Sequence, residues 1–307
     1  MMSSLPVTII GGYLGSGKTT LVNHLLRNAN GLRLAVLVNE FGELSIDEDL
    51  IEAEDDDIIS IAGGCICCSF GNDLTAALVD LAKLNPRPDH ILIEASGVAI
   101  PGSIVSSIGL LNEFLADGIV VLADAETIQR GVQDKYMGDT IARQLSDADI
   151  VVLNKVDLVE IDVLKATKQW LNDQYDQTNI IETAHGVVPP EVVLASFIGR
   201  NHSPGPHLEA THLDMLTLRP AGPIDVEALS KTLAEGDLGI IRAKGFATSI
   251  DGKKILIQVV GRRWDTSPAP DNFEDGIVCL GFKNELNQTA LSELENSKAR
   301  RKMPPET

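Results

Sequence analysis

Gly12-Tyr13-Leu14-Gly15-Ser16-Gly17-Lys18-Thr19 brings three glycines, a lysine and a hydroxyl together in the pattern of a phosphate-cradling P-loop. Glycines there let backbone N–H groups turn toward phosphate oxygens, and a helix starting at the loop adds the positive end of its dipole. Lys18 is placed to reach the β- and γ-phosphates, and the Thr19 hydroxyl to ligate Mg²⁺. Gly12, Gly15, Ser16, Gly17 and Thr20 complete the expected phosphate contacts. A glycine turn without a ligand is the bland alternative, and the strand–loop–helix context argues against it.

Asn154-Lys155-Val156-Asp157 follows the apolar run 150–153, at the carboxyl end of an expected strand, where open α/β sheets bind ligands. A carboxylate at Asp157 can accept from both N1–H and the exocyclic amine of guanine, a donor pair that adenine does not offer. The four residues alone are a weak signal; after a P-loop and on such a strand they point to GTP, with Asn154 and Lys155 alongside. Ile91-Leu92-Ile93-Glu94-Ala95-Ser96-Gly97 reads as a buried strand ending in an acid and a glycine. Glu94 is placed to hold Mg²⁺ through water, and the Gly97 amide to sense the γ-phosphate. An ordinary strand-end acid is the plain alternative for Glu94. Asn39-Glu40-Phe41-Gly42-Glu43 follows the second expected strand and occupies the position of the other nucleotide-sensing loop.

Three of the four cysteines fall in Gly63-Gly64-Cys65-Ile66-Cys67-Cys68. Thiolates at Cys65, Cys67 and Cys68 suit Zn²⁺ or a similar divalent ion. Three ligands leave a position for another side chain, water or a partner's ligand, which favours handing a metal on over bracing a fold. Buried core cysteines or a redox pair are the competing readings. Residues 34–82 contain twelve acids and neither Lys nor Arg. That is either a solvated acidic loop or a surround that attracts cations. Cys279 reads as core. His24, His90, His185, His202, His207 and His212 are scattered and read as structural or solvated, with a weak accessory site conceivable among the last three.

The elements that must position these residues follow from hydrophobic spacing. Runs 7–10, 34–38, 58–61, 91–93, 118–122 and 150–153 have strand length, and 19–26, 73–84, 103–115, 128–145 and 163–171 carry helical spacing. Near-continuous apolar strands alternating with helices predict an α/β domain with a mostly parallel sheet covered on both faces. The pattern breaks down at 201–214. Beyond it, strands at 215–218, 239–248, 254–260 and 277–282 with helices at 226–234 and 291–297 predict a smaller α+β domain with an antiparallel sheet, and the end 298–307 reads as frayed. The expected domains are thus 1–200, a linker 201–214, and 215–300.

The chain has 307 residues and a net charge of −19, with 44% hydrophobic residues. That balance disfavours nucleic acid or an anionic membrane as partner. No apolar run approaches the ~20 residues of a membrane helix. The start MMSSLPVTII lacks the charge and length of a signal peptide, and the clustered cysteines are unlike a disulfide framework. A cytoplasmic protein is expected.

The motifs at 11–20, 38–43, 63–68 with Asn72-Asp73-Leu74, 91–101, Asp124-Ala125 and 148–158 resemble those of the CobW/YjiA family of P-loop GTPases. Arg242-Ala243-Lys244-Gly245-Phe246 and Gly261-Arg262 are similar to that family's second domain. The resemblance spans nearly the whole chain, and Cys-x-Cys-Cys between a P-loop and Asn-Lys-x-Asp is its most specific part. It implies GTP hydrolysis to GDP coupled to binding and delivery of a metal, often Zn²⁺ and in some branches Co²⁺. It also implies that acids matching Glu40 and Glu43 join the metal site, and that the partner is a client metalloprotein. The sequence is compatible with a homo-oligomer. Two departures concern the client: there is no His-rich run, and Asp275-Gly276 stands where an arginine is usual. Outside the chaperone reading, a passive metal store or sensor and a signalling GTPase with structural cysteines are the alternatives, beside a cobalt-handling GTPase of cobalamin or metalloenzyme assembly.

Overall fold

His90–Glu94 and Ile150–Asn154 are buried at all five positions, as strands covered on both faces must be. They belong to a computed structural model that describes residues 4–29, 31–39, 58–63, 72–176, 179–194, 213–270 and 273–296. The chain divides into two compact units, Met1–Leu194 and Ala195–Thr307.

The first unit runs β1 (Leu5–Gly12), α1 (Lys18–Arg27), β2 (Leu34–Asn39), β3 (Ile58–Gly63), α2 (Asn72–Ala82), β4 (His90–Glu94), α3 (Pro101–Ile108), β5 (Phe114–Asp124), α4 (Ile128–Val132), α5 (Gly138–Asp147), β6 (Ile150–Asn154), α6 (Ile161–Tyr175), β7 (Ile180–Glu182) and α7 (Pro190–Leu194). Seven strands form one sheet in the order β3-β2-β4-β1-β5-β6-β7, and every neighbouring pair is parallel. After β1 the chain moves to β2 on one side, and after β4 it crosses β1 to reach β5 on the other. That reversal opens a crevice beyond the carboxyl end of β1. Val7, Ile9, Ala35, Leu37, Ile91, Ile93, Val121 and Leu153 pack with Leu78, Ile104, Ile141 and Leu145 from the helices into the core. Fully burying each large aliphatic side chain contributes roughly 1.5–3 kcal/mol, so the strands are held firmly beneath their loops.

The mostly parallel sheet expected from the apolar runs is present, with corrections at the helices. The helical spacing at 103–115 covers two elements: α3 stops at Ile108, and Phe114 opens β5. Leu110 and Leu111 fall in the intervening turn while keeping helical spacing, which is why periodicity ran through it. The span 128–145 is likewise broken. Asp134 Oδ1 accepts from Tyr136 N and Met137 N at 2.8 and 3.2 Å, a side-chain turn that competes with the helix. The three-residue β7 has no counterpart in the sequence reading.

The second unit is β8 (Leu213–Leu218), α8 (Val226–Glu235), β9 (Ile240–Thr248), β10 (Lys254–Val260), β11 (Arg263–Pro268), β12 (Gly276–Phe282) and α9 (Gln288–Asn296). Its five-stranded sheet, in the order β11-β10-β9-β12-β8, is antiparallel throughout. Asp225 caps α8 by accepting from Ala228 N at 3.0 Å. Leu233, Ala243, Ile257, Val259, Cys279 and Leu291 form the core. The polar strand β11 escaped the sequence reading because Arg263-Trp264-Asp265-Thr266-Ser267-Pro268 lacks apolar alternation. Just before β12, the Asp275 carboxylate accepts from Lys254 Nζ at 2.5 Å and from Thr248 Oγ1 at 2.9 Å.

Candidate functional site

The loop from β1 to α1 sits at the crevice. Gly12 ends β1, and Ser16 N donates to Tyr13 O at 3.2 Å to close the turn that carries Leu14 and Gly15. Gly17 stands before the first turn of α1 at φ 104°, a left-handed conformation. A Cβ there would also collide with Asn154 Nδ2, so both conformation and space demand glycine. No side chain caps α1 and its first turn has no acid, which leaves its leading N–H groups for an anion. Lys18 is only 8% exposed and its ammonium lies 3.4 Å from Tyr13 O across the loop. Ser16 Oγ is buried with no hydrogen-bond partner in the described structure. A buried ammonium, an unmatched hydroxyl and an open helix start fit a phosphate chain well.

Thr19, half-buried on α1, donates its hydroxyl to Glu94 Oε1 at 2.7 Å. Glu94 ends β4 and is 3% exposed. Two hard oxygen donors so placed beside a phosphate loop fit Mg²⁺. Thr20 follows, exposed. Gly97 lies against the phosphate loop: a Cβ on it would stand 2.9 Å from Leu14 N.

Asn154 ends β6 and is 3% exposed. Its Nδ2 donates to Ser16 O at 2.9 Å, and its Oδ1 accepts from Gly186 N at 3.1 Å. Lys155, at φ 61°, turns its ammonium to Asp124 Oδ2 at 2.7 Å. Asp124 ends β5, in register with Asn154. Asp157 is exposed in the short 3-10 turn Val156–Leu158. A loop carbonyl, a strand end and the segment after β7 are thereby tied into one wall. The sequence reading missed Gly186 because it missed β7. It missed Gln144, described below, because a glutamine on a helix carries no signal of what it faces.

Of the described histidines, His24 and His90 are held by polar contacts within the fold. His24 Nε2 lies 2.9 Å from Val188 O, His90 is buried against Thr8 Oγ1 at 2.8 Å, and His185 is exposed. Cys279 is buried, and burial pushes its thiol up to about 12. Cys65, Cys67, Cys68, Glu40, Glu43, His202, His207 and His212 lie outside the described residues. Among those described, no three His, Cys, Asp or Glu residues group as metal ligands, and no helix is long and apolar enough to cross a membrane.

A parallel sheet with an open P-loop at its crevice and Asn-Lys-x-Asp at the end of a strand two places along defines a P-loop nucleotide-binding protein of the GTPase type. The nucleotide-binding domain of the CobW/HypB/UreG group matches residues 6–182, and the cobalamin synthesis protein cobW C-terminal domain matches residues 213–296. The chain belongs to the CobW/YjiA family of P-loop GTPases. A Sinorhizobium protein named zinc chaperone CobW is 30% identical, over 85% of this chain and 86% of its own. A Pseudomonas aeruginosa protein of the same name is 30% identical, over 95% and 90% respectively. The structure of Zn(II)-bound YjiA GTPase from Escherichia coli is 23% identical, covering 96% of this chain and 98% of that one, with a TM-score of 0.45.

Proposed function

We propose that this chain is a cytoplasmic, GTP-hydrolysing metallochaperone that binds Zn²⁺ through Cys65, Cys67 and Cys68, with Glu40 and Glu43, and delivers it to a client metalloprotein according to its nucleotide state. The names of its full-length relatives support a zinc cargo. The observation that carries the reading is the register of the sheet edge. Asn39, the last residue of β2, pairs with Gly63, the last of β3. Glu40 is therefore one residue, and Cys65 two residues, from paired positions on adjacent strands. One residue earlier, Val38 pairs with both Ala62 and Glu94. The segment bearing the acids leaves the sheet beside the strand that ends in Glu94, and the segment bearing the thiols leaves it one strand further out, at the same carboxyl end.

Lys18 and the leading N–H groups of α1 hold the phosphates. Thr19 and Glu94 would hold Mg²⁺, which when bound would supply charge neutralisation at the phosphates. Asp157 reads guanine while Asn154 and Lys155 keep its turn in place. Catalysis of this kind is positioning and electrostatic stabilisation, without covalent chemistry by the protein. Gly97 at one strand end and Asn39 at the next lead into the segments that respond to the γ-phosphate. If GTP orders those segments about the thiolates, metal must tighten GTP by the same factor that GTP tightens metal.

The test is Zn²⁺ affinity against a competing chelator in GDP and in a non-hydrolysable GTP analogue, for wild type and Cys67→Ala. We expect tighter metal with the analogue, by about 5–150-fold, Zn–S distances of about 2.3 Å, and loss of tight binding in the variant with nucleotide affinity intact. Equal affinities in the two nucleotides would leave a passive metal store.

A further inference from the structure

The segment joining β4 to α3 is held by a side chain that neither the phosphate nor the metal reading uses. Gln144, on α5 and 1% exposed, donates from Nε2 to Gly97 O at 3.1 Å and to Ala99 O at 2.8 Å. Three residues on, and so on the same side of the helix, Asp147 Oδ2 accepts from Gly102 N at 2.8 Å. Ala99 N donates to Ser96 O at 2.9 Å, closing the turn between them. On its other side Gly97 abuts the backbone of Leu14 in the phosphate loop. Gly97 is thus gripped between the P-loop and one buried amide.

A primary amide suits this place. Its nitrogen carries two N–H donors, one for each carbonyl, with no charge to desolvate. A carboxylate of the same shape would set acceptors against acceptors, and an apolar side chain would take the donor from the buried Gly97 carbonyl and the part-buried Ala99 carbonyl. Glycine has more freedom to lose than any other residue when a ligand orders it. A clamp on its carbonyl removes that freedom before the nucleotide arrives, so less of the γ-phosphate contact is spent on ordering.

We propose that Gln144 is a positioning residue for γ-phosphate recognition: it holds Gly97 in the conformation that meets the terminal phosphate and so sets the preference for GTP over GDP. The inference rests on the reading that the Gly97 amide faces that phosphate. It predicts a change in discrimination, which mere support of the fold would not produce.

The experiment measures affinities for GDP and a non-hydrolysable GTP analogue with Mg²⁺, and thermal unfolding, on the full chain. The variants are Gln144→Met, Gln144→Glu, Gln144→Asn and the core control Ile141→Val, a buried neighbour on the same helix. In Gln144→Met and Gln144→Glu the analogue-to-GDP preference falls about tenfold, with GDP affinity unchanged, as expected for a lost buried hydrogen bond. Gln144→Asn, which keeps the donors on a shorter arm, retains part of the preference and carries the test if the other two do not fold. Ile141→Val lowers the unfolding temperature and leaves the preference alone. A wild type that discriminates, with Gln144 variants that discriminate equally or lose both nucleotides in parallel, overturns the clamp alone. A wild type that binds both nucleotides equally overturns the γ-phosphate reading of Gly97 and the clamp with it.

Discussion

Asn154 Nδ2 donates to the Ser16 carbonyl at 2.9 Å across 138 residues of chain. The same amide accepts from Gly186 N, so one side chain braces the phosphate loop, the end of β6 and the loop after β7. Asn154 is therefore spent on bracing the P-loop, whereas Asp157 is exposed, as the base-reading role proposed for it requires.

Asn154→Ala leaves a buried acceptor at Ser16 and a buried donor at Gly186 unmatched. Each such group costs about 1–3 kcal/mol. GDP and GTP-analogue affinities should fall together by about tenfold or more, with a lower unfolding midpoint. Asn154→Asp can still accept from Gly186 but buries a charge and sets its carboxylate against the Ser16 carbonyl, so it should lose at least as much. Calorimetric titration separates these outcomes, and an unchanged GDP affinity in the alanine variant would remove the bracing role.

Asp157→Asn should act on the base and spare the phosphates. Guanine loses its acceptor at a cost of about 1–3 kcal/mol, while xanthine, with an acceptor in place of the amine, gains a donor. Wild type should prefer GTP over ATP. Competition among GTP, XTP and ATP against one fluorescent nucleotide reads both effects, and a wild type indifferent to the base would sink the assignment.

Thr19→Val keeps the shape and removes the hydroxyl that Glu94 accepts at 2.7 Å. The gain in nucleotide affinity on adding Mg²⁺ should largely vanish, while GDP binding in a chelator stays near wild type. A Mg²⁺ gain as large as that of wild type would mean that Thr19 is no ligand.

Cys279 supplies a pH dependence in the second unit. An unfolded chain loses this thiol proton near 9.0, whereas the folded chain keeps it to about 12 because burial disfavours the thiolate. Between those values the unfolded state binds fewer protons, so stability falls as pH rises through the window. The contribution is fully present below 9.0. Urea midpoints taken from pH 8 upward should decline more steeply for wild type than for Cys279→Ala, by up to about 1 kcal/mol per pH unit. Parallel curves would contradict the buried, protonated thiol.

Much of this protein is decided locally. Ile91–Ile93 and Ile150–Leu153 are apolar enough to be buried on both faces, and such runs between helices leave little choice but a parallel sheet. Gly12–Thr19 and Asn154–Asp157 stand out in the sequence because the chemistry proposed for them, phosphate and guanine binding, demands particular residue types at short, fixed spacing. Cys65, Cys67 and Cys68 are candidate thiolates on the same ground of residue type and spacing, and they lie outside the described residues. Where spacing alone was followed, it carried a helix through Leu110 into β5 and another across Asp134, because turn residues can keep an apolar period by chance. The short β7 and the polar β11 are strands through their neighbours' hydrogen bonds, which no local pattern records. Tertiary structure alone decided that Asn154 would reach Ser16, that Gly97 would lie on Leu14, and that Gln144 would hold Gly97 from 47 residues away. Each is a contact between segments far apart in the chain. A side chain's type says what it can bond to, and only the packed sheet and helices determine what comes within reach.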